Sequence, residues 1–358
     1  MWRYYLRKYR SVIMWGFVGI GMILLVVVGV MTQNHTKEDV TAETFAGTAM
    51  GTAIKKTIYS TDKKKGEMVN KQIDECLAQL DNQLSVRNLD SDVAKCNRNY
   101  AVDGLYELPS SVLSYLKQEL AIYEETKGAF SPCVRPLSYI WGIEDGTFQI
   151  PQDADIQSVL KRIDASAIEV KDTGVVFHKS DMAIDFGATG KGIACDEVIK
   201  LLEESDAKGA IVSIGGSIAV YGSKDENKEW HVGIRDPRGE EEDVMAVVDC
   251  ESGTVISTSG DYEKYFEVDG KRYHHILDPN TGYPADTGLM SVTIICDDGL
   301  LSDAMSTACF VMGLDKGMKY AEKKGVEAIF VTKDKQVYIT DGIRKEFRMM
   351  EDSYKLVK

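Results

Sequence analysis

The sequence predicts an α+β fold, because helical and strand patterns occupy different stretches of the chain. Apolar residues recur at helical spacing mainly in the first part, and strand-like runs separated by turns follow after residue 209. The 358 residues are 44% hydrophobic, which is too apolar for a disordered chain and enough to bury a sizeable core. The 7 prolines and 31 glycines form no repeat, which excludes a collagen-like chain.

The first element is a basic and then uncharged N-terminal segment. Residues 1–10 are rich in Lys and Arg, and residues 11–31 contain no charged residue. About 20 apolar residues span the hydrocarbon core of a bilayer, and a positive flank stays in the cytoplasm. We therefore expect a cytoplasmic basic tail at 1–10, a single transmembrane helix at 11–31 that anchors the chain in the cell membrane, and a polar linker at 32–44. The rest of the chain would lie on the extracytoplasmic side.

Two alternatives to an anchor fit this segment less well. A cleaved signal peptide has a shorter apolar core and a small-x-small cleavage site, whereas this long core leads into VGVMTQN at 28–34. A lipoprotein needs a cysteine at the end of the apolar run, and the first cysteine is Cys76. An uncleaved anchor is the favoured interpretation.

Apolar residues at helical spacing predict the helices of the remaining chain. Ile73, Leu77, Leu80 and Leu84 recur every three or four residues and predict a helix over 68–84. The same pattern predicts helices over 110–126, which Gly128 ends, over 191–205 and over 302–312.

Runs of β-branched and aromatic residues between turns predict the strands. They fall at 52–59, 210–214, 230–234, 244–248 and 289–296, with a closing hairpin at 327–332 and 336–339. No linker rich in Pro or Gly divides this part of the chain. We therefore expect one domain over 45–345, followed by a C-terminal tail at 346–358.

The composition also limits the partners. A net charge of −14 makes the chain a poor nucleic-acid binder, because phosphate contacts need clustered Lys and Arg. The seven cysteines include no CxxC pair, so they indicate neither a zinc knuckle nor a disulfide framework. We expect most of them to be small buried apolar residues.

Three motifs are rich in glycine or hydroxyl groups. Residues 184–192 read IDFGATGKG between an apolar run and a helix, where backbone N–H groups can approach a phosphate, but the glycine spacing excludes a Walker A loop. Lys191 in the first helical turn is disfavoured by the helix dipole unless it has a partner. Residues 212–217 (VSIGGS) indicate a tight turn or a close approach to a flat ligand. Residues 257–262 (STSGDY) indicate a Ser/Thr turn or a phosphate nest.

Two further motifs carry titratable groups. His274 and His275 are adjacent, and in a strand they would face opposite ways, so that one of them is a candidate general base beside the turn sequence DPNTG. Asp303 and Thr307 are four residues apart on a predicted helix, so their oxygens share one face. Such oxygens suit Mg²⁺. The alternative is a helix-terminal carboxylate beside a threonine that bonds back to its own helix.

In this order, the motifs resemble the ApbE family of flavin transferases. The chain shows MGT at 50–52, LS at 84–85 and GAFSP at 128–132, followed by the boxes named above. The resemblance covers about residues 45–340. It implies a T-fold-related flavin transferase domain that needs Mg²⁺ and uses FAD as donor. The implied reaction moves FMN to a Ser or Thr hydroxyl of a target flavoprotein, an extracytoplasmic redox protein in this case, and releases AMP.

The resemblance also implies roles for particular residues. His275 would be the catalytic base, and the Mg²⁺ ligands would be the Ala188 carbonyl, Asp303 and Thr307. The residues implied for FAD binding are Met50, Arg87, Ala129, Phe130, Ser131, Asp185, Lys191 and Leu277.

The chain departs from the family pattern at three positions, and two functions other than transfer are open to it. Arg87 replaces a frequent aromatic residue, although a guanidinium can also stack on a ring. Ser217 stands where an acidic or amide residue is frequent, and Ser306 replaces a second acidic residue, which predicts weaker metal binding. One alternative is an FAD pyrophosphatase that uses water as acceptor, and another is a non-catalytic flavin-binding protein at the membrane surface. The intact motif residues argue against the second alternative.

Overall fold

The computed structural model describes residues 40–143, 146–224 and 229–357. The predicted basic tail, the predicted anchor at 11–31 and most of the predicted linker lie outside the described residues. Among the residues that are described, no helix is both long and apolar enough to cross a bilayer.

The strands are numbered along the chain. They are β1 (Thr41–Ala49), β2 (Thr52–Ser60), β3 (Leu105–Glu107), β4 (Ile168–Val170), β5 (Gly174–Phe177), β6 (Gly209–Ile214), β7 (Ser217–Gly222), β8 (Trp230–Arg235), β9 (Val244–Cys250), β10 (Val255–Gly260), β11 (Tyr265–Val268), β12 (Lys271–His274), β13 (Leu289–Cys296), β14 (Glu327–Thr332), β15 (Gln336–Ile339), β16 (Phe347–Met349) and β17 (Lys355–Leu356).

The helices are numbered in the same way. They are α1 (Lys63–Leu84), α2 (Asp92–Asn99), α3 (Ser110–Glu125), α4 (Arg135–Ile140), α5 (Asp153–Leu160), α6 (Gly190–Glu203), α7 (Gly299–Met312) and α8 (Leu314–Lys324), with 3-10 turns at Ala165–Ala167 and Asp341–Ile343.

Within the described ranges, nine strands form one large sheet, which we call the main sheet. Its order is β1-β2-β6-β7-β10-β13-β14-β15-β17. Neighbouring strands run antiparallel, except that β17 runs parallel to β15. Smaller sheets are formed by β16-β9-β8, by β3-β5-β4 and by the β11-β12 hairpin. This architecture confirms the predicted α+β class.

The two faces of the main sheet pack against different layers. On β6, Val212 and Ile214 belong to the core that α1, α3 and α6 cover, whereas Ile211 belongs to the core beneath the β16-β9-β8 sheet. Successive strand residues alternate between faces, so one strand supplies both cores. Helices α7 and α8 cover β13 and β14 on the helical face. As predicted, most cysteines are buried, and Cys76 and Cys296 are partly buried.

Two of the four predicted helices begin several residues earlier in the structure than their apolar patterns do. The helix predicted at 68–84 begins at Lys63, because the Asp62 side chain caps it by accepting the Lys64 N–H. The helix predicted at 302–312 begins at Gly299, because the Asp298 side chain accepts the Leu301 N–H. The first turn of α1 contains three lysines and lacks the apolar spacing that marks the rest of that helix.

The chain ends contribute more strands than the sequence predicts. Residues 41–44, which the prediction gives to the linker, are the start of β1, which pairs with β2 along its whole length. The predicted C-terminal tail contains β16 and β17, and Phe347 is buried. The STSGDY motif is also not a turn: its first four residues end strand β10, where they pair with β13. Backbone pairing outweighs composition in these segments.

Candidate active site

The predicted motifs converge at one end of the main sheet, where two hairpin turns meet the start of a helix. Met50 and Gly51 connect β1 to β2 with φ angles of 50° and 71°, as expected for a type I′ turn. Gly215 and Gly216 connect β6 to β7. A Cβ atom on Gly190, at the start of α6, would lie 3.6 Å from the Met50 Cε, so the first turn reaches this helix.

Lys191 forms an ion pair with Asp303 between helices α6 and α7. Its Nζ lies 3.2 Å from the Asp303 Oδ2, and the Gly192 N–H donates to the same oxygen at 3.1 Å. The Asp303 side chain is only 3% exposed. The carboxylate also lies at the N-terminal turn of α6, where the helix dipole favours an anion. This partner explains why a lysine occurs in the first turn of the helix.

Two glycines bring α6 and α7 into backbone contact. A Cβ atom on Gly192 would lie 1.9 Å from the Gly299 carbonyl oxygen, and one on Gly299 would lie 2.2 Å from the Gly192 carbonyl oxygen. Neither position can hold a side chain unless a helix moves. The close approach is what places Asp303 over the start of α6.

A cluster of hydroxyl groups continues from Asp303 along α7. The Ser259 Oγ, near the end of β10, lies 2.7 Å from the Ser306 Oγ and 3.1 Å from the Thr307 Oγ1. The Ser306 hydroxyl also donates to the Asp303 carbonyl oxygen at 2.8 Å. Asp303 and Thr307 lie one turn apart on α7, as predicted. Ser259 of the STSGDY motif adds a third hydroxyl to those of Ser306 and Thr307.

The three predicted metal ligands offer oxygen atoms of the kind that Mg²⁺ binds. Asp303 offers a carboxylate, Thr307 a hydroxyl, and Ala188, half-buried in the turn before α6, a carbonyl. Among the described residues, no three His, Cys, Asp or Glu side chains come together as a metal site. A cation at this position would depend on one carboxylate supported by neutral oxygens.

His274 is held in place by both of its ring nitrogens. It is buried at the end of β12, its Nε2 lies 3.0 Å from the Ala285 carbonyl oxygen, and its Nδ1 accepts the Ile276 N–H at 3.3 Å. The ring also meets Phe310 edge-on. Because both nitrogens are occupied, this histidine has a structural role.

His275 has a free nitrogen in the same region. Its backbone N–H donates to the Lys264 carbonyl oxygen at 2.9 Å, and its Nδ1 is buried without a hydrogen-bond partner among the described residues. Burial, followed by the charges of Lys264, His274 and Lys191 in that order, lowers its pKa to about 3. The prediction that both histidines lie within a strand is wrong, because β12 ends at His274 and the chain bends there.

The turn formed by residues 185–187 (DFG), which we call the DFG turn, is joined to the GAFSP segment by the backbone of Asp185. The Asp185 N–H donates to the Pro132 carbonyl oxygen at 2.8 Å, and the Asp185 Oδ1 accepts the Gly187 N–H at 2.8 Å. Burial raises the pKa of Asp185, and the charges of Arg135 and Arg87 act against this. The two segments that the sequence assigns to one ligand are thus neighbours.

The other residues predicted to bind FAD lie around the same turns. Residues 129–131 follow α3 and are buried. The guanidinium of Arg87 reaches the β1–β2 turn, because its Nη1 would lie 3.1 Å from a Cβ atom on Gly51. Leu277 is buried and forms an isolated bridge with Pro284, two residues beyond His275.

Glu119 is a site neighbour that the sequence analysis missed. It is fully buried on α3, where its Oε1 accepts the Thr189 hydroxyl at 2.6 Å, and its Oε2 has no partner within the described part of the chain. Burial raises the pKa of its carboxyl well above the usual range. A signal was present, because Glu119 continues the buried stripe of Val112, Leu116 and Ile122 on this helix.

Asp261 is a second buried acidic residue near the site to which the sequence motifs gave no role of its own. It follows the STSG residues, is buried, and accepts two N–H groups of Arg238 at 2.7 Å each. The Arg272 Nη1 lies 3.7 Å from the same carboxylate, and the Arg272 guanidinium lies over the Tyr265 ring. Asp261 thus links the end of β10 to the β8–β9 connection through Arg238, and to the strand that leads to His275 through Arg272.

A cavity of about 240 Å³ borders the site. Its walls include Gly215, against which the Lys191 side chain lies, Thr258 beside Ser259, and Lys264. None of the residues predicted to bind FAD or metal lines it. A more open cavity of about 550 Å³ lies near the start of α3 and contains none of the motif residues. The smaller cavity therefore lies beside the predicted ligand-binding residues and not around them.

Known proteins share this fold and these sequence features. The model of the ApbE family matches residues 50–330. A relative from Treponema pallidum (strain Nichols), named FAD:protein FMN transferase, is 32% identical over 86% of this chain and 89% of its own length. A relative of the same name from Escherichia coli (strain K12) is 30% identical over 84% of this chain and 86% of its own.

Solved structures agree with these matches. The ApbE protein of Thermotoga maritima is 32% identical and superposes with a TM-score of 0.78, over 86% of this chain and 100% of that one. The apo flavinyl transferase ApbE of Pseudomonas stutzeri is 29% identical with a TM-score of 0.75, over 86% of this chain and 97% of that one. Since the family model covers most of the domain, this chain belongs to the ApbE family.

Proposed function

We propose that this chain transfers FMN from FAD to a Ser or Thr hydroxyl of an acceptor protein, in a reaction that needs Mg²⁺ and releases AMP. A bond forms between the acceptor oxygen and the FMN phosphorus, and the bond from that phosphorus to the AMP oxygen breaks. The observation that carries the proposal is the ion pair of Lys191 with Asp303, one helical turn from the Thr307 hydroxyl on α7. Lys191 is also close enough to His275 for its charge to lower the pKa of that histidine. The relatives' name, FAD:protein FMN transferase, states the transfer of FMN from FAD to a protein.

The proposed Mg²⁺ ligands are the Asp303 carboxylate, the Thr307 hydroxyl and the Ala188 carbonyl. Lys191 and Gly192 both bond to the Asp303 Oδ2, so we assign the other carboxylate oxygen to the cation. Bound Mg²⁺ would neutralise negative charge on the diphosphate of FAD. Lys191 supplies a second positive charge at the same place, as phosphoryl transfer requires.

His275 is the proposed base for the acceptor hydroxyl. Its low pKa keeps the ring neutral at pH 7, so its nitrogen can accept a proton. A pKa of about 3 makes a weak base in the protein alone. Because Lys264 and Lys191 contribute to the lowering, a diphosphate bound beside these lysines would raise the pKa toward the working pH.

The remaining proposed donor contacts surround the DFG turn. Met50 and Arg87 lie at the β1–β2 turn, and residues 129–131 and Asp185 are linked through the Pro132 carbonyl oxygen. Arg87 can stack on a flat ring with its guanidinium. We assign Leu277, which is buried beside His275, to the same ligand.

The proposal also places the enzyme at the membrane. The uncharged run at 11–31 behind a basic segment supports an anchor with the domain on the extracytoplasmic side. The acceptor would then be an extracytoplasmic redox protein. Nucleic acid is not a proposed partner, in keeping with the acidic net charge.

The experiment incubates the purified protein with FAD, MgCl₂ and a flavin-free extracytoplasmic redox protein, and measures products by mass spectrometry. We expect an FMN adduct on a Ser or Thr of the acceptor, equimolar AMP, and loss of both when EDTA is added. Free FMN and AMP without an adduct would show a pyrophosphatase, and unchanged FAD would show a binding protein. Either result would overturn the proposal.

A matched pair of variants links the reaction to the site. Lys191→Met removes the charge that meets Asp303, and we expect transfer to fall by at least about 100-fold. Lys200→Met changes a lysine on the same helix that is exposed and pairs with Glu197 at 2.7 Å, and we expect transfer within about twofold of the unsubstituted protein. Equal loss in both variants would place the reaction elsewhere.

A further inference from the structure

Each of the helices α6 and α7 supplies a carboxylate that binds backbone N–H groups at the N-terminus of the other. Asp196, in the second turn of α6, accepts the Gly299 N–H on its Oδ1 at 2.6 Å and the Leu300 N–H on its Oδ2 at 3.0 Å. In return, Asp303 of α7 accepts the Gly192 N–H of α6 at 3.1 Å. Each helix thus provides an anion for the first turn of the other, where unpaired N–H groups and the helix dipole favour one.

We propose that Asp196 is a positioning residue, which fixes α7 against α6 so that Asp303 and Thr307 are held in place for Mg²⁺. The inference rests on the proposed function, because that function assigns these two residues to the metal. The hydrogen bonds of the Asp196 carboxylate go to backbone N–H groups at the start of α7, and none of them goes to Asp303 or Thr307.

The contact differs from an ordinary helix cap. Helix α7 already has a cap within its own chain segment, since the Asp298 Oδ1 accepts the Leu301 N–H at 2.8 Å. Asp196 takes the two N–H groups before that one, and it reaches them from another helix, more than 100 positions earlier in the sequence. Removing the Asp298 side chain therefore weakens the helix end alone, whereas removing the Asp196 side chain also unties α7 from α6.

The surrounding packing leaves little freedom for α7 once Asp196 holds it. A Cβ atom on Gly299 would lie 2.7 Å from the Asp196 Oδ1 and 2.2 Å from the Gly192 carbonyl oxygen. The backbones of α6 and α7 are thus in direct contact at the point where Asp196 bonds. A side chain that fixes the start of α7 fixes Asp303, which lies one turn further along the same rigid helix.

Residues that orient metal ligands typically change metal affinity by about 10- to 100-fold when they are substituted. We therefore expect Asp196→Ala to weaken Mg²⁺ binding by about 10-fold or more. Asp196→Asn keeps one acceptor oxygen and should give a smaller loss. Asp298→Ala is the matched control: it removes an Asp cap from the same helix end, and we expect metal affinity within about threefold of the unsubstituted protein.

The experiment measures Mg²⁺ affinity by competition with Mn²⁺, followed by electron paramagnetic resonance, on the purified full chain with FAD present. Thermal unfolding of each variant is measured alongside, because a purely structural role predicts that both Ala variants lose affinity in proportion to their lost stability. Equal affinity losses in Asp196→Ala and Asp298→Ala would overturn the inference, and so would unchanged affinity in Asp196→Ala.

A second measurement separates this inference from the proposed function. If the unsubstituted protein binds no Mn²⁺, the proposed metal site is wrong. The contact between the helices is then tested by hydrogen exchange of the Gly192 N–H, which donates to the Asp303 carboxylate. We expect that amide to exchange at least about tenfold faster in Asp196→Ala than in Asp298→Ala. Equal exchange in the two variants would overturn the positioning role on its own.

Discussion

Substituting the two adjacent histidines should separate stability from catalysis. His275→Ala removes a ring whose Nδ1 has no partner among the described residues, and the backbone bond to Lys264 remains. Stability should therefore change by less than about 1 kcal/mol. The acceptor hydroxyl would lose its base, and the transfer rate should fall by about 10²–10⁴-fold, the usual range for a general base. The affinity for FAD should change little.

His274→Ala should give the opposite result. It leaves the Ala285 carbonyl and the Ile276 N–H without their buried partner, and it opens a cavity beside Phe310. Each unpaired buried group costs about 1–3 kcal/mol, so for the two groups together we expect a loss of about 2–6 kcal/mol of unfolding free energy. Transfer per folded molecule should stay within about threefold.

The assay combines urea unfolding with the mass-spectrometric transfer reaction on the same samples. Both rates are normalised to the folded fraction, so an unstable variant is not mistaken for an inactive one. If His274→Ala abolishes transfer and His275→Ala does not, the base is His274 and the assignment by free nitrogen is wrong. If neither variant affects the rate, no histidine of this pair is the base.

Three further predictions concern the metal, the response to acid and the membrane. Asp303→Ala should reduce transfer by at least about 100-fold at limiting Mg²⁺. The control is Asp315→Ala, which removes an exposed carboxylate of α8 and should leave transfer unchanged. If the two variants respond equally to a Mg²⁺ titration, the metal lies elsewhere. The pKa of His275 is about 3 in the folded state and about 6.5 in the unfolded state. Below pH 6.5 the unfolded chain therefore binds the proton first, and the free energy of unfolding decreases by about 2 kcal/mol between pH 6.5 and 5. Urea unfolding of His275→Gln should not show this part of the decrease. Protease added outside cells with a permeable envelope should degrade the domain if residues 11–31 are an anchor, and full protection would contradict that topology.

The sequence predicts well what local pattern controls. Strand β13 and the β14-β15 hairpin have the predicted bounds, because apolar runs between turn residues determine them. Helix α3 is predicted to within one residue, since its apolar stripe is regular and Gly128, with φ of 80°, ends it. Strand β1 escapes prediction, because it is an exposed edge strand made mostly of small and polar residues, and its pairing with β2 is what makes it a strand.

The site depends on contacts that no local pattern contains. The motif order indicates which segments matter, but it does not show that Lys191 has Asp303 as its partner or that Ser259 meets Thr307. These contacts arise because Gly192 and Gly299, far apart in sequence, let two helices touch. In the sequence each glycine is one of many, and only the packed structure shows that a side chain at either position would separate the carboxylate from the lysine.

The partners of Asp303 allow an acidic side chain to be buried at this site while the fold stays stable. Asp303 is nearly inaccessible, and a lone buried carboxylate would be costly. Here it accepts a backbone N–H at a helix N-terminus and an ammonium group, which together offset the loss of water. This arrangement stabilises a negative charge at the start of α6 and holds the Lys191 ammonium group beside it. A site that must bind a diphosphate needs both features before its substrate arrives, because groups already held in place lose little freedom when the ligand binds.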